Sequence, residues 1–435
     1  MCGGTAWGSA VTAVLKDCRL RSMDTFGVLG ALLSALLGSV PVWWWAHGAA
    51  ASALLGLIYY YLLKPLDWTK DLCDVGFEPR ASRRSRSAVL REAQRRRRIG
   101  NLPPVYPNGW FAVLESSRLP CAGVEHVAAL GQNLAVFRGE TGTVHVLDAY
   151  CPHMGANMAE GGLVHGDCLR CPFHEWSFNG HDGKCSNVPY AQKVPDFARV
   201  KRWESMETNG YVFVWHHAEG EPPSWWPQPV ASVVDGSWSF VGRNEFLVSC
   251  HIQEIPENGA DVAHLNAVHG PGMMGLSALS RHLWTAQWSP GAEPHNQHSA
   301  VLQLDHEMVV LGKARLFKMS VRANQIGPGY VELFMETTFG PIVMLQSVTP
   351  VEPLLQKVVH RMYCPRFLVP YAKFVFYGEC VMFERDVLVW NHKKFEDKPL
   401  LVKEDRQISR YRRWYSQFYS ENSPKHSFQR ETMEW

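Results

Sequence analysis

The 435-residue chain predicts an α+β protein in three successive parts: an N-terminal transmembrane segment, an all-β domain, and a larger antiparallel sheet carrying helices. Three observations predict it. Residues 25–63 hold no Asp, Glu, Lys or Arg over 39 positions. From Trp110 to Trp215 short strand-like runs alternate with turns. Beyond a Pro-rich boundary, β-branched and aromatic runs lead to one long stretch, Tyr371 to Phe395, with apolar residues at spacings of three and four.

The first part, residues 1–64, is long enough to enter a bilayer, whose core of about 30 Å needs about 20 apolar residues in a helix. Pro41 divides the run. One span centred on residues 42–63 is expected, with a tight helical hairpin broken at Pro41 as the alternative. A cleaved signal peptide fits poorly, because 24 residues of mixed character precede the run and no small-residue cleavage site stands before Lys64. Trp43–Trp45 and Tyr59–Tyr61 have the character of interfacial aromatic belts. The positive charge that follows, from Lys64 and Lys70 to "EPRASRRSRSAVLREAQRRRR" ending at Arg98, places the C-terminal part on the cytosolic side. Residues 65–104 therefore read as a basic linker that attracts anionic headgroups. A nuclear-localisation or nucleic-acid reading of Arg95–Arg98 is the weaker one beside a membrane anchor. With 43 basic and 41 acidic residues, the net charge of +2 argues neither for nor against a polyanionic partner, and no nucleic acid is expected. Eleven cysteines, an odd number scattered from Cys2 to Cys380, form no secreted disulfide framework and fit a reducing compartment.

The all-β domain is expected over residues 105–218, from "WFAVLE", "NLAVFRGETGTVHVLDAY" and "GYVFVWHH", with Gly-Glu-Thr-Gly as a hairpin turn. "AEGEPPSWWPQP" marks its end. The second domain, residues 219–416, takes its strands from "WSFVGRNEFLVSC", "LFKMSVRANQIG", "YVELFMETTFG" and "PIVMLQSVTPV". A long helix follows at Tyr371–Phe395. Residues 417–435 carry little periodic signal and read as a poorly ordered tail. No internal repeat is visible.

The densest chemistry lies between Cys151 and Cys185. Cys151-Pro152-His153 and Cys171-Pro172-Phe173-His174 each offer one thiolate and one imidazole, across a linker of 17 residues. That is the two-cysteine, two-histidine set of a Rieske [2Fe–2S] centre. The same residue types suit tetrahedral zinc, but zinc motifs usually pair Cys with Cys and His with His. Cys168, Cys185, His165 and His181 stand outside the two loops and read as thiols and loop residues.

C-P-H…C-P-F-H-x-W, with Gly155, Gly161, Gly162 and Trp176, resembles the Rieske domain of Rieske-type oxygenases. Where respiratory and photosynthetic Rieske proteins have two bridging cysteines, this chain has Ala156 and Phe173. An oxygenase needs a second iron. Asp261, His264 and His269 give D-x₂-H-x₄-H, which resembles the mononuclear iron motif of the family. Five helical residues turn about 500°, so His264 and His269 would lie roughly 140° apart, and the helix must bulge or end between them. Two histidines need one carboxylate to complete a facial triad. The resemblance points to Asp386, with Glu384 as the fallback. Asp261, one turn before His264, is placed to accept a hydrogen bond from its ring. His216, His217, His295 and His298 lack a carboxylate partner in a recognisable frame.

The N-terminal span, the Rieske module and "QEIPENGADVAHLNAVHGP" together resemble the Neverland family of cholesterol 7-desaturases over about residues 100–400. The resemblance implies an all-β Rieske domain followed by a helix-grip-like catalytic domain. It implies an oxidoreductase that binds a [2Fe–2S] cluster and Fe(2+) and converts cholesterol to 7-dehydrocholesterol. It also implies a head-to-tail homotrimer in which Asp261 reaches a cluster histidine, His174, of the neighbouring subunit, as an electron bridge. No G-x-G-x-x-G follows a strand, so electrons are expected from NAD(P)H through an external reductase. Placement in the endoplasmic reticulum membrane, with the catalytic part cytosolic, goes with this reading. The alternatives are a steroid or other lipid hydroxylase of the same class, a chlorophyll-catabolite oxygenase, and a membrane-anchored Rieske electron carrier without oxygen chemistry.

Overall fold

The computed structural model describes residues 42–76, 85–97, 99–272 and 279–426. The chain divides after Lys64 into two compact units. In the first, helix α1 (Val42–Ile58) continues into one π-helical turn at Tyr59–Leu63, where Lys64 N–H donates to Tyr59 O at 2.7 Å. Helix and turn together occupy residues 42–63, the stretch on which the expected span is centred. Among the described residues no helix is long and apolar enough to cross a membrane. Residues 25–41, including Pro41, lie outside the described residues.

The second unit begins with β1 (Leu66–Lys70) and α2 (Arg86–Arg96), inside what reads as a linker. The all-β domain follows with ten strands: β2 (Gly109–Glu115), β3 (Val124–Ala129), β4 (Gln132–Arg138), β5 (Val144–Asp148), β6 (Leu163–His165), β7 (Cys168–Arg170), β8 (Ser177–Asn179), β9 (Cys185–Asn187), β10 (Ser205–Thr208) and β11 (Tyr211–His216). They form three antiparallel sheets, β10-β11-β2, β3-β4-β5 and β6-β7-β8-β9. Phe137, Leu147, Met158, Leu169 and Phe178 pack between the last two, and Cys151 and Cys171 are buried in the same core.

After α3 (Ala231–Val234) and β12 (Ser239–Val248) come α4 (Glu254–Glu257) and α5 (Val262–Val268). Then β13 (Ser280–Pro290), β14 (Ser299–Val310), β15 (Ala314–Ile326), β16 (Tyr330–Thr337), β17 (Gly340–Glu352) and β18 (Leu355–Cys364) precede α6 (Val369–Trp390) and α7 (Arg406–Tyr415). One eight-stranded sheet results, in the order β1-β12-β18-β17-β16-β15-β14-β13. It is antiparallel except that β1 joins its edge parallel to β12. α6 lies on this sheet through Ala372, Phe376 and Cys380, which pack on Val241, Met362 and Cys364. Pro370 sits in its first turn, where a missing N–H costs no hydrogen bond.

The two domains share a dry junction. Tyr211 Oη donates to Leu345 O or Val359 O, both at 3.2 Å, and Thr349 Oγ1 donates to Ala112 O at 2.7 Å. Glu115, 6% exposed, accepts from Arg361 at 2.8 Å and pairs with Arg243 at 2.7 Å. The tail is better placed than its composition suggests. Phe418 is buried, Asn108 N–H donates to Phe418 O, and Val105 N–H donates to Pro424 O, so residues 417–426 close the strand leading into the Rieske domain.

Candidate functional site

Two loops of one construction carry Cys151, His153, Cys171 and His174. In the first, Cys151 N–H donates to Ala156 O, and Gly155 N–H returns to Cys151 O, both at 2.8 Å. In the second, Cys171 N–H donates to Trp176 O at 2.8 Å and Glu175 N–H returns to Cys171 O at 3.1 Å. The fifth residue of each loop is left-handed, Gly155 at φ 75° and Glu175 at φ 58°. Glycine takes that conformation freely; Glu175 is held in it by the loop's two hydrogen bonds, with Arg170 3.4 Å from its carboxylate.

The thiols and imidazoles are graded in depth. Cys151 and Cys171 are each 2% exposed, whereas His153 and His174 are half-buried, their rings 4.7 Å apart. The His153 ring stacks on Trp176 at 4.6 Å and 7°, and the indole N–H of Trp176 is held by Tyr190 Oη at 2.8 Å. Tyr190 carried no signal in the sequence. Burial pushes the Cys151 thiol up to about 11, so a thiolate there requires a nearby cation, as iron supplies. Three or more His, Cys, Asp or Glu donor atoms lie within 4.8 Å of one another at two places among the described residues, and these four residues are not one of them. Two buried cysteines inside and two half-buried histidines outside fit the ligand set of a [2Fe–2S] cluster.

One of the two close groups is His264, His269 and Asp386. The α5 helix ends at Val268, and His269 is its C-cap at φ −100°, ψ −4°. That ending resolves the angular mismatch between the two histidines. Their rings lie 5.3 Å apart, and His269 Nε2 is 3.1 Å from Asp386 Oδ2. Next to that carboxylate, Arg385 clamps the end of α5 by donating to Val268 O and Pro271 O at 3.1 and 3.0 Å. The fallback carboxylate points elsewhere: Glu384 accepts from Trp68 Nε1 at 2.9 Å and lies 3.5 Å from Lys70 Nζ.

Asp261 requires a correction. Its carboxylate accepts the His264 backbone N–H at 3.2 Å as the N-cap of α5, while the His264 ring Nδ1 faces the Asp261 backbone carbonyl. An N-cap side chain turns back onto first-turn N–H groups, so it does not reach the ring. The backbone contact assigns the proton to Nδ1 and leaves Nε2 for a metal. The preceding segment is held by buried acids. Glu257 takes both Arg412 nitrogens at 2.9 and 2.8 Å, and Glu254, 1% exposed, accepts from His251 N–H at 3.0 Å.

These three ligand-type residues face a cavity of about 210 Å³, with Leu302, Leu333, Met344 and Phe383 among its walls. A second cavity of about 170 Å³ adjoins it. Trp284, Met319, Met335, Met344, Glu379 and Met382 line both. Met side chains re-pack readily, so a long ligand can occupy both spaces. Glu379 lies seven residues before Asp386 on the same face of α6. Burial pushes its carboxyl up to about 7, with His269 pulling it down. A single Glu in an apolar helix carried no signal in the sequence.

The remaining close group is His145, Asp167 and His181, at the β-hairpin tips of the Rieske domain. Asp167 already accepts from Thr141 Oγ1 at 2.9 Å, and His181 is largely exposed.

The Rieske [2Fe-2S] domain family matches residues 109–198, and the 3-ketosteroid 9alpha-hydroxylase C-terminal domain family matches residues 214–419. Cholesterol 7-desaturase nvd of Xenopus laevis is 46% identical over 390 residues, covering 86% of this chain and 85% of that protein. Its Drosophila melanogaster counterpart is 43% identical over 390 residues, covering 85% and 90%. The crystal structure of dicamba monooxygenase bound to dicamba shares the fold at a TM-score of 0.57 and 16% identity, covering 72% of this chain and 97% of that one. With two ligand sets placed on this fold and relatives of that identity matched along most of their length, the chain belongs to the cholesterol 7-desaturase family of Rieske-type oxygenases.

Proposed function

We propose that the protein desaturates cholesterol at the 7,8 position to 7-dehydrocholesterol, with O2 and two electrons drawn from NAD(P)H through a separate reductase. The balance is one sterol, one O2, two electrons and two protons in, one diene and two waters out. The observation that carries the reading is the His264–His269–Asp386 set, with His269 and Asp386 buried and His264 half-buried, opening onto a methionine-rich apolar cavity. Cys151, His153, Cys171 and His174 would hold a [2Fe–2S] cluster that would supply single electrons, and His264, His269 and Asp386 would hold Fe(2+), which would supply oxygen activation.

The chain's own part is to place and protect. Asp261 O holds the proton on His264 Nδ1, Arg385 fixes the turn that carries His269, and the apolar walls exclude water from the reacting carbon. Expression of the full chain with cholesterol and mass-spectrometric product analysis tests the reading. A 5,7-diene supports it; a hydroxylated sterol gives the steroid-hydroxylase reading, which rests on the match to the 3-ketosteroid 9alpha-hydroxylase domain. Absence of any product with a reducible cluster would favour an electron carrier.

The finer parts of the proposal are membrane attachment through the N-terminal segment, at the endoplasmic reticulum with the catalytic part cytosolic, and a homotrimer. The exposed apolar surface of residues 47–63 and the basic residues after it support attachment. Exposed Tyr150, Met154, Phe173 and Phe197 on the Rieske domain support an interface near the cluster. Asp261 is proposed as the link between His264 and His174 of the neighbouring subunit, with its backbone carbonyl on the His264 side. Asp261→Asn then keeps both metals and slows sterol-dependent reoxidation of the cluster in rapid mixing.

A further inference from the structure

The second cavity reaches a rim of outward-facing apolar side chains. It is lined by Phe317, Tyr371 and Phe374, of which Phe317 and Phe374 are also exposed at the surface, at 40% and 56%. Around them stand Leu311, Phe339 and Phe367, exposed by 70%, 54% and 77%. Three of the rings form a chain. Phe317 and Phe339 rings lie 6.4 Å apart, and Phe339 and Tyr371 rings 4.7 Å apart. A Cβ on Gly340 would meet Leu368 at 3.4 Å, so the β16–β17 turn sits against the segment that carries Phe367.

Local backbone geometry holds these side chains out. Leu311 and Phe317 both have φ 51°, a left-handed conformation unusual for bulky residues. Phe317 takes it at a β-bulge, where the β14–β15 register shifts between His306 and Met308. Bulges re-aim side chains, and such strain gathers at functional sites. These segments and their flanks carry Lys313, Arg315, Lys318, Arg366 and Lys373 against Glu307 and Glu336; Arg315 and Lys318 pair with Glu307 at 2.9 and 3.6 Å, with side chains 63% and 68% exposed, and the group as a whole stays positive. Apolar tips ringed by basic residues match an anionic lipid surface, where the rings sit below the headgroups and the cations among them.

We propose that this rim docks the catalytic domain on an anionic lipid leaflet, so that sterol passes from the bilayer into the second cavity without crossing water. The inference rests on the sterol reading above, and it concerns the catalytic domain itself, apart from any N-terminal anchor. The methionine wall shared by the two cavities then admits the sterol to the triad by side-chain rotation.

Hydrogen–deuterium exchange of the full chain tests it, with phosphatidylcholine vesicles and with vesicles that also contain phosphatidylserine. Segments 311–318, 337–340 and 366–374 should gain protection on the vesicles, more strongly with phosphatidylserine and less in high salt. The Rieske hairpin 139–143 should not change. A Leu311→Ser/Phe367→Ser variant, altered only at rim residues outside both cavities, should take cholesterol from vesicles about tenfold more slowly. Its turnover of cyclodextrin-delivered cholesterol and its iron content should match the parent. No protection with either vesicle would overturn the proposal. So would protection that appears on raising protein concentration without lipid, which would assign the rim to a second copy of the chain. If the parent protein makes no sterol product by either delivery, the substrate reading fails, and the exchange result still decides the surface.

Discussion

Asp386 and Glu384 sit two residues apart on α6 and the structure sends them to opposite duties, so paired substitutions separate them. Asp386 Oδ2 lies 3.1 Å from His269 Nε2 in a group that is 8% exposed at the Asp. Asp386→Ala removes the single anionic ligand of the triad. Loss even of an outer-shell partner costs about 10–100-fold in metal affinity, so loss of this ligand should cost at least about 100-fold. Iron should fall from three per chain to two, with the EPR signal of the reduced cluster retained and sterol turnover lost. Glu384→Ala instead removes a 2.9 Å bond from Trp68 Nε1 and a 3.5 Å approach of Lys70. Both partners of the ion pair are 29% exposed, so its share is small, and the sum is about 1–2 kcal/mol of stability. That variant should keep three irons and most of its turnover while melting a few degrees lower. Iron and sulfide analysis, EPR and a thermal melt on both proteins make the test. Two irons in Glu384→Ala and three in Asp386→Ala would refute the reasoning from geometry.

Glu115→Gln should destabilise the protein by about 3–5 kcal/mol, because it leaves Arg361 buried at the domain junction without its counter-charge; a loss below about 1 kcal/mol in chemical denaturation contradicts this. Burial pushes His216 and His251 down to about 4 and His360 to about 3, so all three are neutral in the folded chain at pH 7. Their unfolded value near 6.5 is higher, so the unfolded state gains protons first as pH falls. These three histidines alone lower stability by up to about 4 kcal/mol per pH unit around pH 5; Glu332 and Glu379, whose buried carboxyls are pushed up to about 7 and so bind protons before their unfolded counterparts, oppose part of that fall, and a denaturation midpoint that rises on acidification from pH 6 to 4 argues against the histidine reading. His360→Phe should flatten the slope, since neither ring nitrogen of His360 has a partner among the described residues. Glu379→Leu should raise the melting temperature, by removing a carboxyl from an apolar cavity, while lowering turnover; a lower melting temperature means that Glu379 is structurally paired.

The cluster loops were legible because ligand chemistry compresses four donors into 24 residues with fixed local spacing. His264 and His269 were legible as a pair, and the angular mismatch between them foretold the end of α5 at Val268. Asp386 lies 117 residues beyond His269, and only resemblance separated it from Glu384; in the structure, helix rotation does so. The contact of Asp261 was misassigned because spacing gives an angle around a helix, while a cap residue sits outside the helix and turns inward. β13, β14 and β18 escaped notice because His282, His306, His360 and Arg361 interrupt the apolar pattern. All four are buried: His282 and His306 line the second cavity and Arg361 pairs with Glu115, contexts that no local window contains. β1 lies in a basic stretch and becomes a strand through its parallel pairing with β12.

The matching hydrogen bonds of the two cluster loops also set rules for length variation. Each loop is closed by a bond from the first residue to the sixth and another from the fifth back to the first. An insertion or deletion within 151–156 or 171–176 moves an imidazole relative to its thiol and opens both bonds. The hairpin tip between β6 and β7 is tied to its neighbours instead, Gly166 O accepting from Glu140 N–H and Asp167 O from Gly180 N–H, so an insertion there disturbs the adjoining hairpins and leaves both six-residue rings closed. Variants of this domain should therefore keep six residues within each cluster loop.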